Sequence, residues 1–390
     1  MITDLRSLVA PNPLATLTDA MVAEQRLHLH TTRQADFARL LPWPAFNALI
    51  TFDRLQGGQV RAIRNGHDMP LGMLTARAGR FENQELAPDS LHAMADMGLS
   101  LVINDIPRLV PGIAALAAMV ERHLRARAGV NAYVSFRQDS AFGAHWDDHD
   151  VLVLQIHGRK RWFCYGKRDA YPMKGVPAVT KIGDGEEPVW SEMLEPGDIL
   201  YLPRGEFHRA QIEDGHSLHL TIGLAFPRGD DVVRWIGRRS LENELFRRDI
   251  STLAGPEALA TRQEELRAAL HRAVDDLDLN RFLATADRQR ESLKPLNLGL
   301  SDPLDPNVVI RPMLRRRLPL PEGTSQLRHG PATTTLTPAE RVVLADLLDR
   351  DAATFAGLIK ALPTMTAQDI GAAVSGLARK SLVLLSDEPG

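Results

Sequence analysis

Two histidines and one aspartate are the residues of this chain whose types and spacing best suit metal chemistry. His145 and Asp147 are separated by one residue and precede the apolar run 151–156, which is typical of a buried strand. His208 comes later in the chain, after the segment 203–205. Two imidazoles and one carboxylate form the ligand set of a mononuclear non-haem Fe(II) site, which holds the metal on one face and leaves the opposite positions open.

The spacing by itself leaves the choice of ligands open. Side chains at i and i+2 of a strand share a face, so His145 and Asp147 can reach one metal ion together. His149 continues the same alternation, His219 lies in a predicted strand and can face the interior, and His216 is a third competitor. A His-x-Asp pair is common by chance. The alternative is a group of hydrogen-bonded or solvated polar side chains at a barrel rim.

Length and composition indicate an ordinary soluble protein. The 390 residues suggest two or three domains, and 44% apolar with 24% charged residues is a typical globular composition. A net charge of −3 gives no global attraction to nucleic acid or to anionic membranes. The single cysteine, Cys164, excludes an intrachain disulfide framework. No apolar run approaches a membrane span and the N-terminus lacks a signal-type pattern, so we expect a cytoplasmic protein without membrane contact.

Residues 131 to 226 are predicted to be mainly β-structure. Short apolar segments alternate there with glycine or proline, a pattern typical of a sandwich or barrel. The candidate strands are 133–136, 151–156, 161–165, 199–202 and 218–226.

The residues before this β-region are predicted to be largely helical and irregular. Phe37, Leu40 and Leu41 share one helical face, and Pro42 should end that helix. Thr16 and Thr18 are candidate helix caps.

The residues after the β-region change to helical periodicity. Residues 231–295 carry apolar side chains at helical spacing among many charges, so their apolar faces must either cover the barrel or pair with a second copy of the chain. We expect the second arrangement, a homodimer. Near the C-terminus, Thr337, Pro338 and Glu340 form a helix-capping sequence, and two further helices and a strand follow. This order predicts a small winged-helix-like module.

The charge of the C-terminal module argues against direct nucleic-acid binding. Residues 337–390 contain five Lys or Arg and seven Asp or Glu. Affinity for phosphate backbones comes from lysine and arginine, so we expect protein contacts instead.

Several of these motifs together are similar to those of a known family. Residues 131–162, 195–208 and 217–221 resemble the JmjC/cupin-like 2-oxoglutarate oxygenases, with the bacterial ribosomal oxygenases as the closest group. The resemblance implies an α+β fold: a double-stranded β-helix (jelly-roll or cupin) barrel, a helical dimerisation segment and a small winged-helix-like domain. We place these at residues 1–230, 231–300 and 301–390.

The resemblance also selects among the candidate site residues. It implies that His145, Asp147 and His208 bind Fe(II), and that Lys160 holds the far carboxylate of 2-oxoglutarate. Arg159 and Arg161 alternate with Lys160 and are expected on the outer face. The implied positions lining the cosubstrate pocket are Asn131, Tyr133 and Thr221.

The implied activity is an Fe(II)-, O₂- and 2-oxoglutarate-dependent hydroxylation of a polypeptide, such as a ribosomal protein. Two other substrates are open: a precursor peptide and a small metabolite of a biosynthetic pathway. A third alternative is a non-catalytic cupin-like binding protein that regulates through its C-terminal module, but such a protein has no need for the triad together with Lys160.

Overall fold

The computed structural model describes residues 2–51, 59–64, 67–78, 83–137, 142–175, 182–183, 185–213, 215–288, 294–299, 303–315, 325–329 and 332–386. The chain divides into two compact units. One contains Met1–Ala225 together with Glu291–Gly390, and the other contains Phe226–Arg290.

The N-terminal part combines short helices with short strands. The helices are α1 (Leu5–Val9), α2 (Leu14–Val22), α3 (Gln34–Leu40), α4 (Trp43–Thr51), α5 (Pro88–Asp96) and α6 (Pro111–Leu124). The strands are β1 (Leu27–Leu29), β2 (Val60–Arg64), β3 (His67–Met69), β4 (Thr75–Ala78), β5 (Asn83–Leu86) and β6 (Ser100–Ile103).

Seven strands follow and build the barrel. They are β7 (Arg127–Phe136), β8 (Asp150–His157), β9 (Lys160–Lys167), β10 (Trp190–Leu194), β11 (Ile199–Leu202), β12 (Glu206–Gln211) and β13 (His216–Ala225). The larger antiparallel sheet has the strand order β1-β11-β8-β13-β7-β6-β2-β3, and the smaller has the order β10-β9-β12. All five strands predicted for this region are therefore present, and four of them contain more residues than predicted.

Strand β8 is buried on both faces, which explains its continuous apolar sequence. Its residues Val151 and Val153 pack with Trp162, Cys164 and other side chains of the smaller sheet. Residues Leu152, Leu154 and Ile156 point the other way, into the main core that also contains side chains of the N-terminal helices. Alternation along a strand thus divides one apolar run between two clusters.

The N-terminal helices confirm one sequence prediction and correct another. Phe37, Leu40 and Leu41 are buried, and α3 ends at Leu40, before Pro42. The capping prediction for Thr16 and Thr18 is wrong, because both lie inside α2, whose N-cap is Pro13. The hydroxyl of Thr18 instead donates to the carbonyl of Ala15 (3.2 Å) within the helix.

The C-terminal module has its own core. Its elements are β14 (Val309–Pro312), β15 (Gln326–His329), β16 (Ala332–Thr335), α10 (Pro338–Arg350), β17 (Ala353–Thr354), α11 (Phe355–Ala361), α12 (Ala367–Arg379) and β18 (Val383–Ser386). The predicted capping of α10 is confirmed: Thr337 accepts from the backbone of Glu340 (3.1 Å) and Glu340 accepts from the backbone of Thr337 (2.7 Å). Helix α11 begins at Phe355 because residues 353–354 pair with β14.

A buried ion pair joins this module to α6 of the barrel region. Arg122 donates to Asp351 through Nη2 (2.6 Å) and to the carbonyls of Pro312 (3.0 Å) and Leu314 (2.6 Å). Both charged side chains are only 1% exposed, and His123 also contacts Asp351. Removing one partner of such a pair typically costs about 3–5 kcal/mol, because it leaves the other charge buried without compensation.

In the unit Phe226–Arg290, the described residues form the helices α7 (Gly229–Ser240), α8 (Pro256–Asp275) and α9 (Leu279–Arg288), with a short 3-10 helix at Glu244–Arg247. Within it, the rings of Trp235 and Phe282 meet edge to face, with centroids 5.8 Å apart. Many of its apolar side chains remain exposed, including Val233, Leu241, Leu253, Leu270 and Val274. No helix in the described part of the chain has the length and apolar character needed to span a membrane.

Candidate metal centre

The segment that carries His145 and Asp147 is held by backbone hydrogen bonds to the segment 205–208. His145 and His208 form an isolated antiparallel bridge, with N···O distances of 3.0 and 2.8 Å. The amide of Gly205 also donates to the carbonyl of Asp147 (3.1 Å). Strand β8 begins only at Asp150, so the prediction that His145 and Asp147 share a strand face is wrong. They lie on an irregular segment that is hydrogen bonded to residues 205–208.

His208 lies near the start of β12 in the smaller sheet, after the turn that follows β11. The turn between these strands is fixed by the carboxylate of Asp150, which accepts from the Tyr201 hydroxyl (2.8 Å) and from the Arg204 amide (2.9 Å). Gly205 has a φ of +81°, and a Cβ there would lie 2.7 Å from Pro172. The turn therefore requires glycine at this position.

The three predicted ligands lie together. The candidate ligand atoms of His145, Asp147 and His208 are all within 4.8 Å of one another. The two imidazole centroids are 4.5 Å apart, and His208 Nε2 lies 3.6 Å from the Asp147 carboxylate. The structure thus brings together the ligand set that the family resemblance implied.

Each histidine has one ring nitrogen occupied by a backbone carbonyl. The Nδ1 of His145 lies 2.9 Å from the carbonyl of Gly143, and the Nδ1 of His208 lies 2.9 Å from the carbonyl of Glu206. A carbonyl can only accept, so the proton of each ring belongs on Nδ1. This tautomer leaves the Nε2 lone pairs of both rings available to a metal ion.

The electrostatic environment of His208 also favours the neutral imidazole with a free Nε2 lone pair. Burial and the neighbouring His145 lower the pKa of His208 to about 4, although the Asp147 carboxylate acts in the opposite direction. His208 is therefore neutral near pH 7, and a neutral imidazole with an adjacent carboxylate is a metal-binding form.

The cluster opens into a cavity whose walls contain several of the other predicted residues. Tyr133, Lys160 and Thr221 line it together with the three candidate ligands. Asn131 is not among its lining residues. The Asn131 side chain accepts from the amide of Asp105 (3.0 Å) and hydrogen bonds with Tyr133. Asn131 thus lies on the same face of β7 as Tyr133, beside the cavity, without being one of its lining residues.

Lys160 is almost fully buried, at 2% exposure, while the neighbouring arginines Arg159 and Arg161 are much more accessible. Its Nζ donates to the Ser135 hydroxyl (2.9 Å), and Ser135 is also bonded to Ser100 (2.8 Å). A buried ammonium group next to a cavity is costly unless it has polar partners, which makes this position suited to an anionic ligand.

The hairpin before Lys160 depends on Gly158. Its φ is +64°, and a Cβ there would lie 1.9 Å from the carbonyl oxygen of His216. Only glycine fits this close approach of β13, so the Gly-x-Lys order of the sequence has a steric origin.

His219 is the lining residue whose role the sequence left open. It is buried across from Tyr133 in the β7–β13 pairing, and the two rings stack with centroids 5.0 Å apart. Burial and the nearby charge of Lys160 hold its pKa well below the usual histidine value. Its Nδ1 has no hydrogen-bond partner among the described residues. The cross-strand register, which the sequence does not specify, is what places His219 in this cavity.

The other two competing histidines lie elsewhere. The ring of His149 covers Gly223, where an added Cβ would lie 2.7 Å from the ring, and its Nδ1 contacts the carbonyl of Asp150 (3.0 Å). His216 is exposed and meets the Trp43 ring, with centroids 4.9 Å apart. Among the described residues, neither belongs to a three-residue group that could hold a metal ion.

Comparison with known families now adds to this geometry. Residues 108–232 match the model of the JmjC domain. Residues 108–232 are a JmjC domain. The match contains the segment from α6 to the start of α7, and so includes all seven barrel strands and the three candidate ligands. The predicted resemblance to JmjC oxygenases is confirmed.

Curated relatives match part of the chain. The chain is 26% identical over 221 residues to the bifunctional lysine-specific demethylase and histidyl-hydroxylase NO66 of Drosophila persimilis, covering 56% of this chain and 31% of that protein. It is 34% identical over 138 residues to ribosomal oxygenase 1 of Rattus norvegicus, covering 35% of this chain and 23% of that protein. The chain thus spans less than a third of the length of these two relatives.

A solved structure matches nearly the whole chain. The ribosomal oxygenase YcfD from Escherichia coli, in complex with cobalt and 2-oxoglutarate, aligns with a TM-score of 0.56 and 17% identity over 95% of this chain and 98% of that one. At this identity the match concerns the fold. The predicted JmjC/cupin fold with antiparallel sheets and helices is confirmed.

We predict that loss of a candidate ligand abolishes metal binding at this centre. His208→Ala and Asp147→Ala should each weaken Mn²⁺ binding by more than about a hundredfold, because even residues that only hydrogen bond to a metal ligand contribute about 10- to 100-fold. Mn²⁺ titration followed by electron paramagnetic resonance measures the affinity.

His149→Ala and His216→Ala are the matched controls and should retain wild-type affinity. If His149→Ala removes binding while His208→Ala does not, the choice of His208 as a ligand is wrong. Circular dichroism of each variant checks that the barrel is folded.

Proposed function

We propose that the protein is an Fe(II)- and 2-oxoglutarate-dependent oxygenase that hydroxylates a polypeptide. One observation carries this proposal: a cluster of two histidines and one aspartate shares a cavity with the buried ammonium group of Lys160. In the family, the keto acid chelates the metal at one end and needs a cation for its far carboxylate. This cavity provides both groups, and a binding protein without chemistry has no need of that combination.

Iron, 2-oxoglutarate and O₂ would supply the oxidation of an unactivated C–H bond, with release of succinate and CO₂. His145, Asp147 and His208 would hold the metal, with both rings oriented by carbonyls that accept from Nδ1. Lys160 would hold the far carboxylate, and Thr221 and Tyr133 would line the same space.

The neutral state of His219 fits this role of Lys160. A second positive charge beside Lys160 would compete for the same carboxylate, but burial and the lysine itself keep the His219 pKa low. Tyr133 is likewise held as the neutral phenol, since burial and the Asp147 carboxylate raise its pKa. One cation at one end of the cavity defines the orientation of a dicarboxylate.

We predict that Lys160→Ala weakens 2-oxoglutarate binding about ten- to a hundredfold and leaves metal affinity nearly unchanged. A charge-assisted hydrogen bond to a carboxylate contributes roughly 1.5–3 kcal/mol, which corresponds to that range. Anaerobic calorimetry with the metal-loaded protein measures both affinities.

Arg161→Ala is the matched control, because Arg161 follows Lys160 on β9 with its side chain on the other face and more exposed. It should bind 2-oxoglutarate normally. Equal affinities in the Lys160→Ala variant and the wild type would show that Lys160 does not bind the cosubstrate.

For the substrate, we propose a side chain of a ribosomal protein. The names of the rat relative and of the E. coli structure, both ribosomal oxygenases, support this choice. The same barrel could instead act on a precursor peptide or a small metabolite, and in the absence of turnover it would be a regulatory binding protein.

We expect that treatment of ribosomes with the active enzyme makes one ribosomal-protein peptide heavier by one oxygen atom, and that the peptide is unmodified without the enzyme. Purified ribosomes from cells lacking the gene, incubated with the protein, Fe(II), 2-oxoglutarate and O₂, are digested and compared by mass spectrometry. The Asp147→Ala variant is the control, since it should leave the peptide unmodified. Succinate production without any oxygenated ribosomal peptide would favour one of the other substrates, and no succinate production would contradict oxygenase activity.

We further propose that residues 231–300 form a dimerisation segment and residues 301–390 a winged-helix-like domain that helps receive a polypeptide. The exposed Leu270 and Val274 on α8, with Val233 and Leu241 nearby in the sequence, support the first part, because monomers rarely expose large contiguous apolar surfaces. Pairing two copies of the same helices would cover these side chains without any further sequence. Three helices and a three-stranded sheet around one core support the second part.

We predict a mass near twice 43.1 kDa in light scattering at micromolar concentration. The double variant Leu270→Glu with Val274→Glu should be monomeric, because it would place charges in the apolar face. Ala268→Glu, at an exposed position on the opposite side of the same helix, is the control and should leave the mass unchanged. A wild-type mass near one chain would contradict the dimer.

A further inference from the structure

A second group of metal-ligating side chains lies outside the JmjC centre and shares no residue with it. It consists of His28, His30 and Asp198, whose candidate ligand atoms are all within 4.8 Å of one another. The Nε2 of His28 lies 3.1 Å from Asp198 Oδ2, and the Nδ1 of His30 lies 3.0 Å from Asp198 Oδ1. The imidazole centroids are 4.3 Å apart.

The edge of the larger sheet positions these three residues. Strand β1 pairs with β11, and Asp198 immediately precedes β11, so the histidines and the carboxylate meet across one strand pair. His28 and His30 are two residues apart, which places both rings on one side of the chain. The turn holding Asp198 is firmly bound, since the Thr31 hydroxyl donates to the Gly197 carbonyl (2.7 Å) and the Gln155 amide donates to the Asp198 carbonyl (3.0 Å).

The carboxylate is preorganised and ionised, while the site remains open to solvent. Asp198 is buried, and its Oδ2 also accepts from the amide of Glu195 (2.9 Å). Burial alone would raise the pKa of the Asp198 carboxyl, but the hydrogen bonds from His28 and the Glu195 amide outweigh it and the pKa is lowered. The His30 side chain is 75% exposed, so an ion can enter directly from water.

We propose that His28 Nε2, His30 Nδ1 and the carboxylate of Asp198 bind a divalent first-row metal ion of the zinc class. Ligands at about 2.0–2.2 Å from a tetrahedral ion are about 3.3–3.6 Å apart. The two nitrogen–oxygen distances, one to each oxygen of the Asp198 carboxylate, are slightly shorter than this, and the three candidate ligand atoms lie within 4.8 Å of one another. Imidazole with one carboxylate suits zinc, nickel or copper, and the remaining positions would be filled by water.

Binding changes the tautomers of the two rings and leaves their net charge unchanged. In the metal-free arrangement each ring donates the proton of its contacting nitrogen to Asp198. On coordination, that proton moves to the other nitrogen of the same ring, and the freed lone pair faces the ion. The ion would thereby link the N-terminal strand β1 to the turn before β11.

Zinc content after equilibrium dialysis tests the proposal, with the full-length protein and Zn²⁺ as the probe. The wild type should bind two ions per chain, one at each group. His30→Ala should bind one, and Asp147→Ala, which disables only the JmjC centre, should also bind one. The exposed His92→Ala is the matched control and should bind two.

A second measurement reports on the site locally. The ring of Trp190 meets that of His28 edge to face, with centroids 5.9 Å apart. In the Asp147→Ala background, Ni²⁺ should quench the fluorescence of Trp190, and the quenching should disappear when His30→Ala or Trp190→Phe is added. If His30→Ala retains wild-type zinc content, or if zinc binds the Asp147→Ala protein only at millimolar concentration, the proposed site does not exist. Neither result depends on whether the protein is an oxygenase.

Discussion

The backbone pairing of residues 145 and 208 is the interaction on which the JmjC centre depends. Two reciprocal hydrogen bonds join an irregular segment before β8 to the start of β12, which belongs to a different sheet. Each histidine then uses its Nδ1 to bond a carbonyl two residues earlier in its own chain segment. The position and the tautomer of both rings thus follow from the backbone, and the lone pairs needed for a metal are oriented before any ion arrives.

The rest of the barrel maintains this pairing. Asp150 holds the turn at Arg204 from the opposite segment, and Gly205 allows the chain to pass Pro172. Gly158 similarly allows the β8–β9 hairpin to approach β13, which delivers Lys160 to the interior. These constraints explain why Gly158, Gly205 and Asp150 are needed near the centre, although none of them is a candidate metal ligand or a lining residue of the cavity.

Among the described residues that line the cavity, Lys160 is the only lysine or arginine. Lys160 is bonded to Ser135 and, through it, to Ser100, while His219 and Tyr133 are held neutral by their surroundings. The group at His28, His30 and Asp198 uses similar ligands in a different setting. There the carboxylate is the buried member and one imidazole is exposed, so the ion would be held at the surface and would not be enclosed with a substrate.

The sequence by itself determined the residue types of the centre, the strands that surround it and the capped helix at Thr337. These depend on local patterns: alternation, helical periodicity, and capping residues at fixed offsets. The spacing alone left His149 and His219 as rivals of His208, and only the family resemblance separated them.

The tertiary structure decided the rest, because it depends on contacts between residues far apart in sequence. Strand register placed His219 against Tyr133 inside the cavity, whereas the Asn131 side chain accepts from the amide of Asp105 and is not among the lining residues. The pairing of β1 with β11 brought His28 and His30 to Asp198 across about 170 residues. No local sequence pattern predicts this contact, because it forms only when β1 and β11 pair in the folded sheet.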